Sequence, residues 1–322
     1  MEIFYLTLKQ MLMMFLLIGG GVLLRKTNIL PKGSDATISR LETYLLIPAL
    51  NLFNQMTQCT RETFAENAPL MLYGTVIILC AMLLSYPLSR LFVRNAATSP
   101  ELTYRRNVYK YALTFANYGF VGNFIILGVF GAETFYKYSL LTFPFLVMGY
   151  VWGMYILVPK SAGSGMLSNL KKGLLTPPLI ALLVGMLIGL LDLSRYVPSF
   201  IKNALSYAAD CQAPVGLVLA GVVIGGFKFG DLIRNKNVYG ATALRLLVLP
   251  AVAMLLLKLL GAGEELMTLA LIALATPLGM NTIVYPATYG GDTETGASMV
   301  MISHALCVAT IPLMYYLFIV LL

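Results

Sequence analysis

Charge is scarce in this chain. Only 11% of its 322 residues are Asp, Glu, Lys or Arg, against roughly 25% in a typical soluble domain. Histidine and tryptophan occur once each, at His304 and Trp152, and the four cysteines, Cys59, Cys80, Cys211 and Cys307, show no metal-ligand spacing. These shortages exclude whole chemistries. No Cys/His cluster, phosphate-binding glycine loop or nucleophile constellation appears, so no catalytic residue, metal or cofactor is expected. The cysteines read as free packing thiols and imply no disulfide framework. An intramembrane enzyme would need a carboxylate pair or a His/Cys set at membrane depth, and that feature is missing. A cleavable leader is not expected either, because Glu2 precedes a long apolar stretch ending at Arg25-Lys26 in the manner of a helix flank.

What fills the chain is apolar: 59% of residues are hydrophobic and the mean hydropathy is +0.82. Long apolar runs recur from end to end, which defines an all-α polytopic membrane protein. Ten stretches near the roughly 20 residues needed to cross the hydrocarbon core are predicted, at about 3–24, 38–56, 69–92, 108–130, 136–158, 178–191, 201–224, 238–260, 266–289 and 295–321. The first carries Gly19-Gly-Gly21, where another helix can approach closely. The net charge of +8 needs no nucleic acid, because cytoplasmic loops of membrane proteins carry such an excess.

Two of these stretches are interrupted by polar, helix-breaking residues. Thr276-Pro-Leu-Gly-Met-Asn281 divides the ninth, and Asn117-Tyr-Gly-Phe-Val-Gly-Asn123 divides the fourth. Pro277 has no backbone N–H and clashes with the preceding turn, and Gly279 loosens the chain beside it. Backbone groups freed at membrane depth are tolerated only where protein buries them or a watery cavity receives them. A pair of broken helices in corresponding halves points to a transporter's binding site.

The halves match in order. Leu30-Pro31 finds Val197-Pro198, Pro48 finds Pro214, and Gly131-Ala-Glu-Thr134 finds Gly290-Gly-Asp-Thr293. A linker at 159–173 then separates a first repeat, 1–158, from a second, 174–322. Five helices per repeat is an odd number, so the repeats are expected to be inverted. Basic residues gather after helices 1, 3, 5 and 7, from Arg25 and Lys26 through Arg94, Arg105 and Arg106 to Arg234 and Lys236. That side should be cytoplasmic and both termini extracytoplasmic.

Several short pieces together resemble the auxin efflux carrier family of secondary transporters, within the bile acid/auxin transporter superfamily. They are Ile47-Pro-Ala-Leu50 with Phe53, Asn117-x-Gly-Phe-x-Gly122, Arg245-Leu-Leu-Val-Leu-Pro250, Tyr289-Gly-Gly-Asp292 with Ala297-Ser298, and Thr310-Ile-Pro312. The pieces span nearly the whole chain, and each alone is of low specificity. The resemblance implies a sodium/proton antiporter-like fold of two inverted five-helix repeats in which broken helices 4 and 9 cross. It further implies a transport domain of helices 3–5 and 8–10 moving, elevator-like, against a scaffold of helices 1, 2, 6 and 7 that often forms a homodimer. Phe124 stands where the family often has a proline, which leaves the first interruption to be opened by its glycines.

Within such a fold, half-helix N-termini turn partial positive charge toward a cavity and favour an anion. Asn117 and Asn281 then hydrogen-bond a carboxylate, or else satisfy freed backbone groups. Tyr118, Gly119, Asn123, Thr276, Pro277 and Gly279 complete the expected substrate site, with Asn51 facing either the cavity or another helix. Asp210, deep in helix 7, carries a coupling proton, touches a cation or serves as a structural partner. Arg245 pairs with Asp210, draws in an anion or snorkels. His304 takes a proton role or packs. The resulting expectation is a carrier of a small organic anion such as malate, malonate or an auxin-like acid. A proton is preferred to sodium as the coupling ion, and an uncoupled facilitator or a sodium-coupled symporter is the alternative.

Overall fold

The computed structural model describes residues 2–157, 175–283, 286 and 293–321, and these are helical apart from short connections. The predicted linker 159–173 and the residues Tyr289-Gly-Gly-Asp292 lie outside the described residues. Helix α1 (Glu2–Lys26) is followed by α2 (Ser34–Leu41), which passes through a wide π turn at Glu42–Leu46 into α3 (Ile47–Gln58). Next come α4 (Arg61–Asn67), α5 (Pro69–Phe92) and α6 (Pro100–Thr114). A second π turn, Tyr118–Gly122, opens α7 (Asn123–Met148), and a third, Gly149–Gly153, leads to α8 (Met154–Leu157). The chain then builds α9 (Pro177–Leu190), α10 (Ser199–Gly225) and α11 (Phe229–Leu232). From α12 (Lys236–Ala243) it crosses a π turn at Leu244–Val248 into α13 (Leu249–Leu259). Helices α14 (Glu264–Ala275) and α15 (Glu294–Tyr315) complete the order.

Local chemistry explains several boundaries. Thr60 and Thr63 cap α4 reciprocally, and Ser99 accepts from the Leu102 N–H at the start of α6. Pro48 and Pro250 each follow a π turn by two residues. A proline ring clashes with the carbonyl four residues back and cannot donate to it, and the wider turn makes room. The geometry at Pro48 therefore recurs at Pro250, whereas Pro214 sits inside the continuous α10.

The expected architecture is not met. Among the described residues, six helical runs are long and apolar enough to cross a bilayer: Tyr5–Lys26, Arg61–Phe92, Tyr118–Leu157, Ser199–Gly225, Lys236–Leu259 and Glu294–Leu321. Ten were predicted, and among the described residues no inverted five-helix repeat or crossing of helices 4 and 9 is identified. The physical reasons are specific. Predicted helix 2 is α2–α3, which buries Glu42, Asn54 and Gln55 and is too polar. Predicted helix 6 is α9, 14 residues long, about 21 Å at 1.5 Å per residue against a core of roughly 30 Å. Predicted helix 9 stops at Ala275, where Thr276 turns extended ahead of Pro277. Predicted helix 4 breaks after Thr114, and its second part runs on into predicted helix 5, kinked where Gly131 adopts φ 82°.

Packing is tightest between α1 and α10. A Cβ on Gly21 would strike the backbone of Val218, and one on Gly221 the backbone of Ile18. Gly19 and Gly20 meet nothing, so one member of the glycine triplet makes the predicted close approach. These helices pack on α7 and α15, and the interior runs on into α14, where Leu269 to Ala275 are buried without a gap, as are Ala297 to Ile302 on α15.

Candidate functional site

Both interruptions lie inside the protein, against each other. Phe115 leaves α6 in extended conformation, and Ala116 forms an antiparallel bridge with Leu278. The Asn117 N–H donates to the Pro277 carbonyl at 2.6 Å, and the Leu278 N–H donates to Ser303 Oγ at 3.0 Å. The Asn117 and Leu278 N–H groups and the Pro277 carbonyl, released by the breaks, thus find partners in the other break or on α15. The first break begins at Phe115, ahead of the glycines expected to open it. Gly122 instead provides a close approach, since a Cβ there would run into the Tyr138 hydroxyl, which donates to the Tyr118 carbonyl at 3.1 Å.

Beside this junction lies a cavity of about 200 Å³. Its walls include Asn51, Asn117, Tyr118, Gly119, Asn123, Gly279 and Asn281, seven of the residues singled out from sequence. Among the described residues, no charged side chain lines it. The helix that begins at Tyr118 turns its first residues toward the space, and a first turn leaves its N–H groups without intrahelical acceptors. Thr276 and Pro277 stand behind the wall. The Thr276 hydroxyl is buried without a hydrogen-bond partner among the described residues, and Pro277 contributes its carbonyl to Asn117.

The two asparagines are held differently. Asn281 Nδ2 donates to the Tyr111 hydroxyl at 2.9 Å. Asn117 Nδ2 lies 3.2 Å from His304 Nε2, and His304 Nδ1 lies 2.7 Å from the Val300 carbonyl. A carbonyl only accepts, so Nδ1 carries the hydrogen and Nε2 accepts from the amide. That fixes a neutral tautomer and leaves the Asn117 Oδ1 free of the imidazole. Asn51 donates to the Pro178 carbonyl at 3.0 Å, pinning α3 to the start of α9 at the rim.

Asp210 and Arg245 are not in the cavity wall. Asp210 is exposed on α10 and makes no ion pair with Arg245. Arg245 is 0% exposed, and none of its three guanidinium nitrogens has a hydrogen-bond partner among the described residues. Sequence reading missed Tyr111, Tyr150, Ser139 and Thr142 in the wall, and two members of a polar stripe, Ser39 and Thr43, that continues to Asn51 along one face of α2–α3. The four-residue spacing of that stripe was its available signal.

A family model described as membrane transport protein matches residues 6–315 of the chain. No curated protein matches it by sequence.

Proposed function

The chain belongs to the membrane transport protein family, that of the auxin efflux carriers, and from that premise we propose that it carries a small organic anion across the bilayer by alternating access. The family is one of transporters and not of enzymes, and the long apolar helices make the chain an integral membrane protein. The carboxylate substrate, drive by a proton or the membrane potential, and residence in a cytoplasmic membrane are our reading.

The observation that carries it is the cavity at the paired interruptions. Amides, tyrosines, hydroxyls and the first turn after Asn117 surround a space with no charged side chain among the described residues. Such a wall attracts an anion through N–H and O–H donors and the helix dipole. It holds the anion without a permanent opposite charge, which allows release. A volume of about 200 Å³ is below the roughly 300–1,000 Å³ of drug-sized pockets, in keeping with an acid of a few carbons.

Uptake of labelled malate, malonate and indole-3-acetate into proteoliposomes, with and without an inward proton gradient, tests the reading. Saturable uptake of one acid that falls in Asn281→Ala is the expected result. Folded, reconstituted protein that moves none of them overturns the anion assignment.

A further inference from the structure

One acidic side chain lies inside the bundle and outside the cavity wall. Glu42 is 1% exposed, opens the π turn between α2 and α3, and faces α10. Gln212, 0% exposed, donates from Nε2 to Glu42 Oε2 at 3.5 Å, the far limit for such a bond. Glu42 Oε1 and Gln212 Oε1 are both buried with no hydrogen-bond partner among the described residues. The elements packed on this turn bring little charge. α2 carries Asp35 and Arg40, α10 carries Lys202 and Asp210, and α3 and α9 carry none. Tyr44 in the turn, and Tyr207 and Cys211 on α10, are the other titratable groups on these elements, and all three are exposed. Glu42 takes part in no ion pair among the described residues. An ionised carboxylate so placed lacks the partners that make burial tolerable, whereas the neutral acid fits.

The pair also adjoins the substrate cavity through both of its helices. Ser39 and Thr43, neighbours of Glu42 on α2–α3, line the cavity. On α10, Gln212, Gly216 and Leu219 share one face. Leu219 lines the cavity, and a Cβ on Gly216 would collide with the ring of Phe120, which lines it too. Whatever alters the Glu42–Gln212 contact acts on the same α10 face that supports the first interruption.

We propose that Glu42 and Gln212 form a proton-binding site that couples to the cavity. A proton from water settles on Glu42 Oε1, the oxygen with no partner. The Gln212 amide then turns to present its own oxygen to the new O–H, and turns back to donate to Oε2 when the proton leaves. The two ends of an amide are alike in shape, so the turn requires little repacking. The transport consequence rests on the proposed anion carrier; the proton site itself does not.

Infrared difference spectra of the purified protein across a pH series, without substrate, test the site directly. The expected result is a carboxylic-acid carbonyl band that fades as pH rises. It is absent in Glu42→Gln, present in Asp210→Asn, and shifted to higher frequency in Gln212→Met, where the amide partner is gone. A pH-dependent band that persists unchanged in Glu42→Gln, or no such band in the wild type, overturns the proposal. The second arm is uptake of labelled malate, malonate and indole-3-acetate into proteoliposomes. Loss of proton-gradient stimulation in Glu42→Gln, with downhill exchange of the transported acid retained, supports coupling. Retained stimulation overturns coupling while leaving the carrier intact. Failure of the wild type to move any of the three removes the anion reading, and the spectra still decide the proton site.

Discussion

The two interruptions face one cavity, yet they are built and held by different means. The second is opened by proline: Thr276 goes extended, Pro277 follows, and Asn281 is tied to the hydroxyl of Tyr111 on α6. The first has no proline. It leaves α6 at Phe115, resumes through a widened turn, and ties Asn117 to the imidazole of His304 on α15. A tyrosine hydroxyl can donate or accept without changing charge, whereas His304 Nε2 accepts only while the ring is neutral. The second amide's partner is a hydroxyl, and the first amide donates to a ring nitrogen that accepts only in the neutral form. Two chemically similar asparagines at one site need not have the same function.

Removing either amide is the severest way to test their partnership. Asn281→Ala and Asn117→Ala each strip a donor from the wall and remove one hydrogen bond from Tyr111 or His304. A hydrogen bond to a charged group contributes about 1.5–3 kcal/mol, which corresponds to roughly 10- to 150-fold in affinity for the transported acid. Uptake kinetics in proteoliposomes should show the loss for both. Unchanged kinetics in both folded variants would sink the binding role of the interruptions.

The close approach at Gly122 in the first interruption is tested next, through stability. Gly122→Ala drives a methyl into the hydroxyl of Tyr138, a fully buried side chain bonded to the Tyr118 carbonyl. Overpacking of this kind costs about 1–3 kcal/mol, read as a lower Tm of the purified protein in detergent. An unshifted Tm would mean that the turn yields more easily than its packing implies.

The difference between the amide partners predicts smaller effects. Tyr111→Phe removes the acceptor from Asn281 and should weaken uptake by the value of one neutral hydrogen bond, about 0.5–1.5 kcal/mol, or roughly 2- to 13-fold. His304→Gln keeps an acceptor for Asn117 while abolishing titration, so uptake should stay within about threefold of wild type. Proton-gradient stimulation should survive in it as well, because that property is assigned to Glu42. Its loss in His304→Gln would move the coupling to the first interruption.

The sequence carried the membrane class, the two polar breaks and the asparagines that share the cavity, because Pro, Gly and Asn inside apolar runs have few other uses. It did not carry the span count. That depends on where a break falls and how much polarity a helix buries, as α9 and α2–α3 show. Nor did it carry the angular position of a single side chain. Asp210 and Gln212 are two residues apart on α10, about 200° around the helix at 3.6 residues per turn. Asp210 faces outward and Gln212 is buried against Glu42. A carboxylate at membrane depth draws attention to Asp210, but depth says nothing of the face a residue occupies. Pro48 was matched to Pro214 by its place in the order of motifs, while its local geometry recurs at Pro250.

The smallest expected effect is the most discriminating within the first interruption. Gly119 sits three residues before Gly122 in the same turn, lines the cavity, and has open space where a Cβ would stand. Gly119→Ala should therefore leave the Tm unchanged or slightly raised, since alanine is favoured over glycine in a helix by up to about 1 kcal/mol. Its methyl would occupy part of a cavity of about 200 Å³, so uptake should fall for larger acids before smaller ones. A fall in Tm as large as that of Gly122→Ala would show that the wall is closed at this point and that substrate binds elsewhere along the junction. A stable variant with narrowed acid preference would place the substrate against the first turn after Asn117.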